Sequence, residues 1–328
     1  MDLSDPAAVS AYLKSDEVKV EAMPGGVSSD VVRVQTPEQS FVLKRALPKL
    51  RVKEDWFANT SRNIIERLCL QLISQMAPRF VPKVLFVDEA NGLFAMEYVE
   101  GLTWKHKLLQ GHVDVQVATM LGRFLATVHR LTFANSEYLT PFSDKTLFHQ
   151  LRISPYFEFI LDLYPEYRTY LDEVIDSMMS TSDVLVHGDF SPKNVLLRTK
   201  QNQPVVLDWE VAHAGHASFD ISFMMHHLLL KAVYAKLNFA SYLALVDTFY
   251  RSYFEVVGVL SESQFRAITW QTTGALLLAR VDGKSPVEYL NEQMKEQVRQ
   301  IGISLLSRNA ADMADVTVLY REVIGAKP

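Results

Sequence analysis

The chain has 328 residues, 48% apolar and 22% charged, with a net charge of −5 and one cysteine, Cys69. That length and apolar content can bury a sizeable core as two lobes, while the weak negative charge and lack of a long basic run leave no electrostatic footprint for nucleic acid. A single cysteine excludes an intrachain disulfide and a cysteine-based zinc finger. The N-terminus lacks the basic and apolar regions of a secretory signal. The most apolar window, Ile221–Leu230, contains His226 and His227 and is too short to span a bilayer. A soluble cytoplasmic protein without nucleic-acid or membrane partners is expected.

Ser4-Asp5-Pro6 predicts a helix start, a capping side chain with proline at the first helical position, and the helix extends to about Ser15. Strands are expected over Val18–Met23, Asp30–Gln35 and Phe41–Arg45, the first two separated by the glycine turn Pro24-Gly25-Gly26-Val27-Ser28-Ser29. Phe41-Val42-Leu43-Lys44 places a lysine at the end of an apolar strand. Alone it reads as an edge-strand residue, but the next element adds a second reading. From about Lys53 to Met76, Ile64, Ile65, Leu68, Leu72, Ile73 and Met76 recur at helical spacing, with Glu66 on the flank of the stripe. A strand lysine paired with a helix glutamate can hold a cation against a nucleotide's α- and β-phosphates. Glu54 is a rival partner, although acidic residues are expected at a helix start in any case.

A hairpin over Phe80–Asp88 and Leu93–Val99, turned at Asn91-Gly92, ends in Met96-Glu97-Tyr98-Val99-Glu100-Gly101. The boundary is set there, between an N-terminal nucleotide-binding lobe over 1–100 and a mainly helical lobe over 101–328. The backbone of Glu97, Tyr98 and Val99 either binds an adenine edge or is a plain hairpin strand. Val113–Leu131 reads as a core helix, and further helices are expected over about 219–237, 240–257, 262–280, 286–308 and 311–324. Residues 144–183 hold eight acidic side chains against three basic ones, either a solvated face or an acidic wall for a cationic substrate. The linker around Arg280, Lys284 and Pro286 is polar between apolar helices, which makes Arg280 and Lys284 candidates for an acceptor site. Gly283-Lys284-Ser285 is not a P-loop, because the motif's first glycine would fall on Leu278 and no strand precedes it.

The most informative stretch is Val184–Asp220. An apolar strand leads into His187-Gly188-Asp189, followed by Asn194, two more strands and Asp208. Moving a γ-phosphoryl group requires Mg²⁺ on the phosphates, an acceptor for the hydroxyl proton and cations against the developing charge. Asn194 and Asp208 offer the oxygen donors that Mg²⁺ takes alongside phosphates, and the turn at Thr199–Gln203 should fold their strands together. Asp189 is the candidate to accept the proton, with orientation mattering more than basicity. His187 and Asp220 are expected to hold the loop, with helix capping the plainer alternative for Asp220. Lys193 either meets the γ-phosphate or is an exposed loop lysine.

His187-Gly188-Asp189-Phe190-Ser191-Pro192-Lys193-Asn194 followed by Val205-Val206-Leu207-Asp208-Trp209-Glu210 resembles the signatures of the aminoglycoside phosphotransferase and choline kinase superfamily. The glycine turn with Gly25, Gly26 and Ser28, together with Lys44, Glu66 and Met96–Gly101, is similar to that family's nucleotide lobe. The resemblance implies an α+β, bilobal protein-kinase-like fold: an antiparallel sheet lobe with one helix, then a larger helical lobe. It implies ATP-dependent phosphorylation of a small-molecule hydroxyl, with Asp189 as base, Asn194 and Asp208 on Mg²⁺, and Lys44 with Glu66 at the phosphates. Relatives of this type act on aminoglycosides, choline or ethanolamine, homoserine, methylthioribose and other sugars. The glycine loop departs from Gly-x-Gly-x-x-Gly, and only eleven residues separate Asp208 from Asp220 without an Ala-Pro-Glu. No room remains for a phosphorylatable activation loop, which argues against a protein kinase. The alternatives are a catalytically silent nucleotide-binding protein of this fold and a metal-dependent phosphohydrolase using His187, Asp189, Asp208, His213 and His216.

Overall fold

The computed structural model describes residues 2–15, 17–23, 29–47, 62–309 and 312–325. Helix α1 (Pro6–Leu13) starts at Asp5, whose carboxylate accepts from the Ala7 amide at 2.9 Å. Strands β1 (Lys19–Ala22), β2 (Ser29–Gln35) and β3 (Ser40–Ala46) follow, then helix α2 (Arg62–Met76), and strands β4 (Val84–Asp88) and β5 (Leu93–Glu97). They form one antiparallel sheet in the order β1-β2-β3-β5-β4. Successive side chains point to opposite faces. Phe41, Leu43, Leu93 and Ala95 therefore pack with Leu3 and Val9 beneath α1, whereas Val42, Phe94 and Met96 face Cys69, Leu70 and Ile73 of α2. That alternation puts Lys44 on the α2 face, opposite Phe94 in the register.

The part of the expected 53–76 helix that falls on residues 48–61, including Glu54, lies outside the described residues. The buried face of α2 is also rotated from the expected stripe. Asn63, Glu66, Cys69, Leu70 and Ile73 are buried while Ile64 is 51% exposed. Glu66 thus sits within the buried face rather than on its flank, which a carboxylate can do only with a partner.

Residues 98–100 have no regular structure, and β6 (Gly101–Thr103) leads into α3 (Trp104–Leu109) and α4 (Val115–Thr132), capped by Thr103 and Asp114. A π-helical segment, His149–Glu158, accommodates Pro155, which has no amide proton to give. Helix α5 (Arg168–Ser180) precedes strands β7 (Val184–Val186), β8 (Val195–Arg198), β9 (Pro204–Val206) and β10 (His213–Gly215). β7 pairs with β10, and β6-β8-β9 form a second small sheet. The chain ends in helices α6 (Ser218–Tyr234), α7 (Phe239–Val257), α8 (Glu262–Asp282), α9 (Glu292–Leu306) and α10 (Met313–Ile324). Gly122 lets α4 lie close along α7, since a Cβ there would meet the Phe249 carbonyl oxygen at 2.5 Å. Helix α6 is buried on almost every side. Among the described residues no single helix is long and apolar enough to cross a membrane.

Candidate active site

The side chains singled out between Val184 and Asp220 converge with Lys44 and Glu66 where the large sheet faces the two small ones. Lys44 Nζ lies 2.7 Å from Glu66 Oε2 and 2.9 Å from Asp208 Oδ1. Burial works against the ammonium, but Asp208 and Glu66 outweigh it and hold Lys44 charged. Burial pushes the Glu66 carboxyl up, and Lys44 beside it opposes that rise. Asp208 is held well below the usual carboxylate range: Lys44 and then Lys193 overcome its burial. Asp208 also sits at φ +68°, in the left-handed region that side chains other than glycine rarely adopt. Strain of this kind persists where the surroundings over-determine it, and it clusters at functional sites.

The loop after β7 is fixed from below. Asp220, fully buried at the start of α6, accepts the His187 amide at 2.7 Å and the Gly188 amide at 3.0 Å. His187 Nδ1 accepts from the Asp189 amide at 3.1 Å, which leaves Nε2 to donate to the Leu207 carbonyl at 3.0 Å. Burial lowers the His187 pKa, so the neutral ring ties Asp189 to the residue before Asp208. Gly188 has φ +78°, and a Cβ there would lie 2.6 Å from the Val211 carbonyl oxygen. Asn194 Nδ2 donates to the Asp189 carbonyl at 3.0 Å, and the Asn194 carbonyl accepts the Leu207 amide at 2.8 Å. With its amide nitrogen engaged, Asn194 keeps Oδ1 as an oxygen donor near Asp208.

Asp189 is almost fully buried, with Arg152 Nη2 3.1 Å and Lys193 Nζ 2.9 Å from its Oδ2. Burial would raise its pKa, but Lys193 and Arg152 hold the carboxyl below its ordinary value. Arg152 comes from the π-helical segment. Its Nε donates to the Gly188 carbonyl at 2.6 Å, and its guanidinium lies 5.6 Å from the Phe223 ring centre. One arginine therefore fixes both the loop backbone and the carboxylate.

On the sheet side, the Glu97 amide donates to the Lys83 carbonyl at 2.8 Å and its carboxylate pairs with Arg198 at 2.8 Å. The Arg33 guanidinium covers the Tyr98 ring at 3.9 Å. Among the described residues nothing hydrogen-bonds the backbone of Tyr98 or Val99.

The profile of the phosphotransferase enzyme family (APH) matches residues 19–248, from β1 into α7. The chain belongs to the phosphotransferase enzyme family. Methylthioribose kinase of Geobacillus thermodenitrificans is 25% identical over 229 residues, covering 61% of this chain and 57% of its own. That of Yersinia pseudotuberculosis is 27% identical over 216 residues, covering 58% and 53%. The chain thus spans a little over half the length of these curated relatives. Among solved structures, a choline kinase from Streptococcus pneumoniae superposes with a TM-score of 0.51 at 13% identity, covering 92% of this chain and 97% of its own. An amicoumacin kinase in complex with AMP-PNP, Ca²⁺ and Ami gives a TM-score of 0.55 at 13% identity, covering 95% and 97%. At that identity the likeness concerns the fold, which is protein-kinase-like: an antiparallel N-terminal sheet and a mostly helical remainder.

Within this family frame the structure brings together Lys44, Glu66, His187, Asp189, Asn194, Asp208 and Asp220. Gly25, Gly26 and Ser28 lie outside the described residues. Arg280 Nη1 lies 2.7 Å from Ser285 Oγ and 3.5 Å from Tyr156 Oη, whereas Lys284 is exposed with its ammonium 5.5 Å from the Phe159 ring centre. His213 bonds the Val211 carbonyl and stacks on Phe148 at 3.9 Å, while His216 accepts from the Ser218 amide. Among the described residues no three His, Cys, Asp or Glu side chains are grouped to hold a metal ion. Sequence reasoning missed Arg152, which carries no motif. It also missed the partner of Glu210: Arg62 Nε, fully buried at the start of α2, lies 3.7 Å from Glu210 Oε2.

Proposed function

We propose that this chain transfers the γ-phosphoryl group of ATP to a hydroxyl of a small molecule. Residues 1–100 form the nucleotide lobe, and residues 101–328 carry the catalytic loop and acceptor site. The observation that carries the reading is the meeting of Lys44, Glu66 and Asp208 within 2.9 Å, beside a loop that holds Asp189 and Asn194. Family membership supports it, as do the names of the relatives, which are kinases of methylthioribose, choline and amicoumacin.

Lys44, kept charged and oriented by Glu66, meets the α- and β-phosphates. The backbone of Glu97, Tyr98 and Val99 faces the adenine edge. Asn194 Oδ1 and the ionised Asp208 fit Mg²⁺, which takes a few hard oxygen donors besides phosphate. Asn194 and Asp208 would hold that metal, whose positive charge would offset the charge developing on the phosphates. Asp189 orients the acceptor hydroxyl and takes its proton as the oxygen–phosphorus bond forms. The bond from the γ-phosphorus to the β-phosphate oxygen breaks, giving ADP and a phosphate monoester. An aspartate with a depressed pKa is a weak base, but a loose transition state asks mainly for orientation. Arg152 and the Asp220 clamp supply that orientation.

An ADP-release screen over amino alcohols, sugars, thiosugars, aminoglycosides, hydroxy acids and sugar phosphates tests the reading. It predicts acceptor-dependent ADP release by at least one class. Thermal stabilisation by MgATP with no turnover on any class would instead favour a silent nucleotide-binding protein.

A further inference from the structure

The region beyond Asp189 is positively charged and incompletely satisfied. Phe223, His227 and Lys231 follow one another at i, i+4 and i+8 on one face of α6. At 1.5 Å per residue that row extends roughly 12 Å, the length of a small metabolite. Its near end touches the catalytic loop, because Arg152 lies over Phe223 and binds Asp189. Lys193, which also binds Asp189, acts electrostatically on His227 along with Lys231 and Arg280. Arg280 reaches the same place from α8, its guanidinium 6.0 Å from the Tyr156 ring centre.

Lys231 is 1% exposed. Its ammonium donates to the His227 carbonyl at 3.0 Å and lies 5.7 Å from the Tyr289 ring centre. An ammonium has three donors, and no carboxylate among the described residues pairs with this one. The charges acting on it, Lys105 and Arg280, are both positive; burial first and then these two pull its pKa down to about 7. Around it, His226 Nε2, Tyr289 Oη and Arg280 Nε are buried without hydrogen-bond partners. Buried polar groups in native proteins are nearly all satisfied, so a cluster of orphans calls for a ligand or bound water. Asp282, the carboxylate nearest Arg280 in sequence, is taken by Arg299 at 2.7 Å and Tyr164 at 2.5 Å.

The acidic excess of residues 144–183 supplies no counter-charge. Glu158 pairs with His149 at 2.9 Å, Glu173 with Arg308 at 2.6 Å, and Asp144 accepts the Thr146 amide at 2.8 Å. Asp172 lies 3.8 Å from Arg168 on the exposed side of α5.

We propose that Lys231 and Arg280 bind an anionic group of the acceptor, a carboxylate or a phosphate, while its hydroxyl lies at Asp189. His226 Nε2 and Tyr289 Oη, buried beside them without hydrogen-bond partners, bond further polar groups of the same molecule. The assignment rests on the kinase reading above and narrows the acceptor to a hydroxy acid or a sugar phosphate rather than an amine.

The test uses the full chain with matched acceptors: glycerate, glycerol and 2-amino-1,3-propanediol; gluconate, glucose and glucosamine; ribose 5-phosphate and ribose. MgATP protection against thermal unfolding, compared in wild type and Lys44→Met, is measured first and tests the nucleotide site without any acceptor, while turnover of any member of the panel tests the kinase reading. ADP release is then expected to favour an anionic member over its neutral and cationic partners by at least about tenfold in kcat/KM. Carboxylate and phosphate members tell the two sources apart. Lys231→Met and Arg280→Gln should each raise that acceptor's KM by about tenfold or more. Because Lys231→Met removes a buried unpaired charge, its Tm should be unchanged or higher, whereas a structural lysine would lower it. Preference for a neutral or cationic member, or an unchanged KM in both variants, overturns the proposal. So does turnover of neutral or cationic members with no anionic acceptor turned over, an outcome that leaves the kinase reading standing, whereas MgATP protection with no member turned over removes both. Loss of MgATP protection in the wild type removes both.

Discussion

Replacing Arg152 by methionine isolates what holds Asp189. The substitution keeps an unbranched side chain beside Tyr156 and Phe223 but removes the contact at 3.1 Å to Asp189 and the one at 2.6 Å to the Gly188 carbonyl. Breaking a buried ion pair by deleting one partner costs about 3–5 kcal/mol. Lys193 still stands 2.9 Å from Asp189, but its side chain is 52% exposed and screened, so the lower end, about 3 kcal/mol, applies. For a chain of this size that corresponds to a fall in Tm of roughly 6 °C, at about 2 °C per kcal/mol. The pH dependence separates charge from packing. Asp189 has a depressed folded-state pKa, so its contribution is present above the unfolded value of about 3.9 and lost as pH falls through the folded value. Without Arg152 the carboxyl takes up its proton at higher pH, which relieves the variant first. The Tm gap between wild type and variant should therefore be widest near neutral pH and narrow as pH falls toward about 4. Differential scanning fluorimetry across pH 4–8 reads this directly. A gap that stays constant across that range would mean that Arg152 acts by packing, and no gap at all would mean that it does not hold Asp189.

Lys44→Met leaves Glu66 and Asp208 without their shared cation and should weaken MgATP binding by at least about tenfold in calorimetric titration; equal affinity would remove Lys44 from the phosphate site. Asp220→Ala orphans the buried His187 and Gly188 amides, each worth about 1–3 kcal/mol, so urea unfolding should register a loss of at least about 2 kcal/mol, with Asp220→Asn milder. Gly188→Ala forces a side chain into φ +78° against the Val211 carbonyl, and should cost at least about 1–2 kcal/mol; a neutral result would show that the loop can relax.

The N-terminal sheet, the mostly helical remainder and the loop that carries Asp189 and Asn194 were legible because their signals are local. Strands alternate, Asn91-Gly92 turns a hairpin, and Asp189, Asn194 and Asp208 fall within twenty residues on strand–loop junctions. What was not legible depends on contacts distant in sequence. Glu66 reads as a flank residue until Lys44 crosses from β3 to meet it, which lets α2 bury its polar side and expose Ile64. Arg152 sits in a π-helical segment, a widened turn that no helical period predicts, and reaches a carboxylate 37 positions away. The excess of acid in 144–183 was ambiguous in sequence. In the structure Glu158 and Glu173 pair with His149 and Arg308, Asp144 accepts the Thr146 amide, and a lysine inside the apolar helix α6 is buried without a carboxylate among the described residues.

The central claim is phosphoryl transfer through Asp189 to a small-molecule hydroxyl. Its most direct measurement is ³¹P NMR of the products from MgATP and the acceptor panel, with wild type and Asp189→Asn side by side. The account predicts a new phosphate monoester, equal in amount to the ADP formed, with the wild type. Asp189→Asn should bind MgATP normally yet form the ester about 10²–10⁴-fold more slowly. An Asp189→Asn enzyme as fast as wild type, or ADP accompanied only by inorganic phosphate, would contradict it.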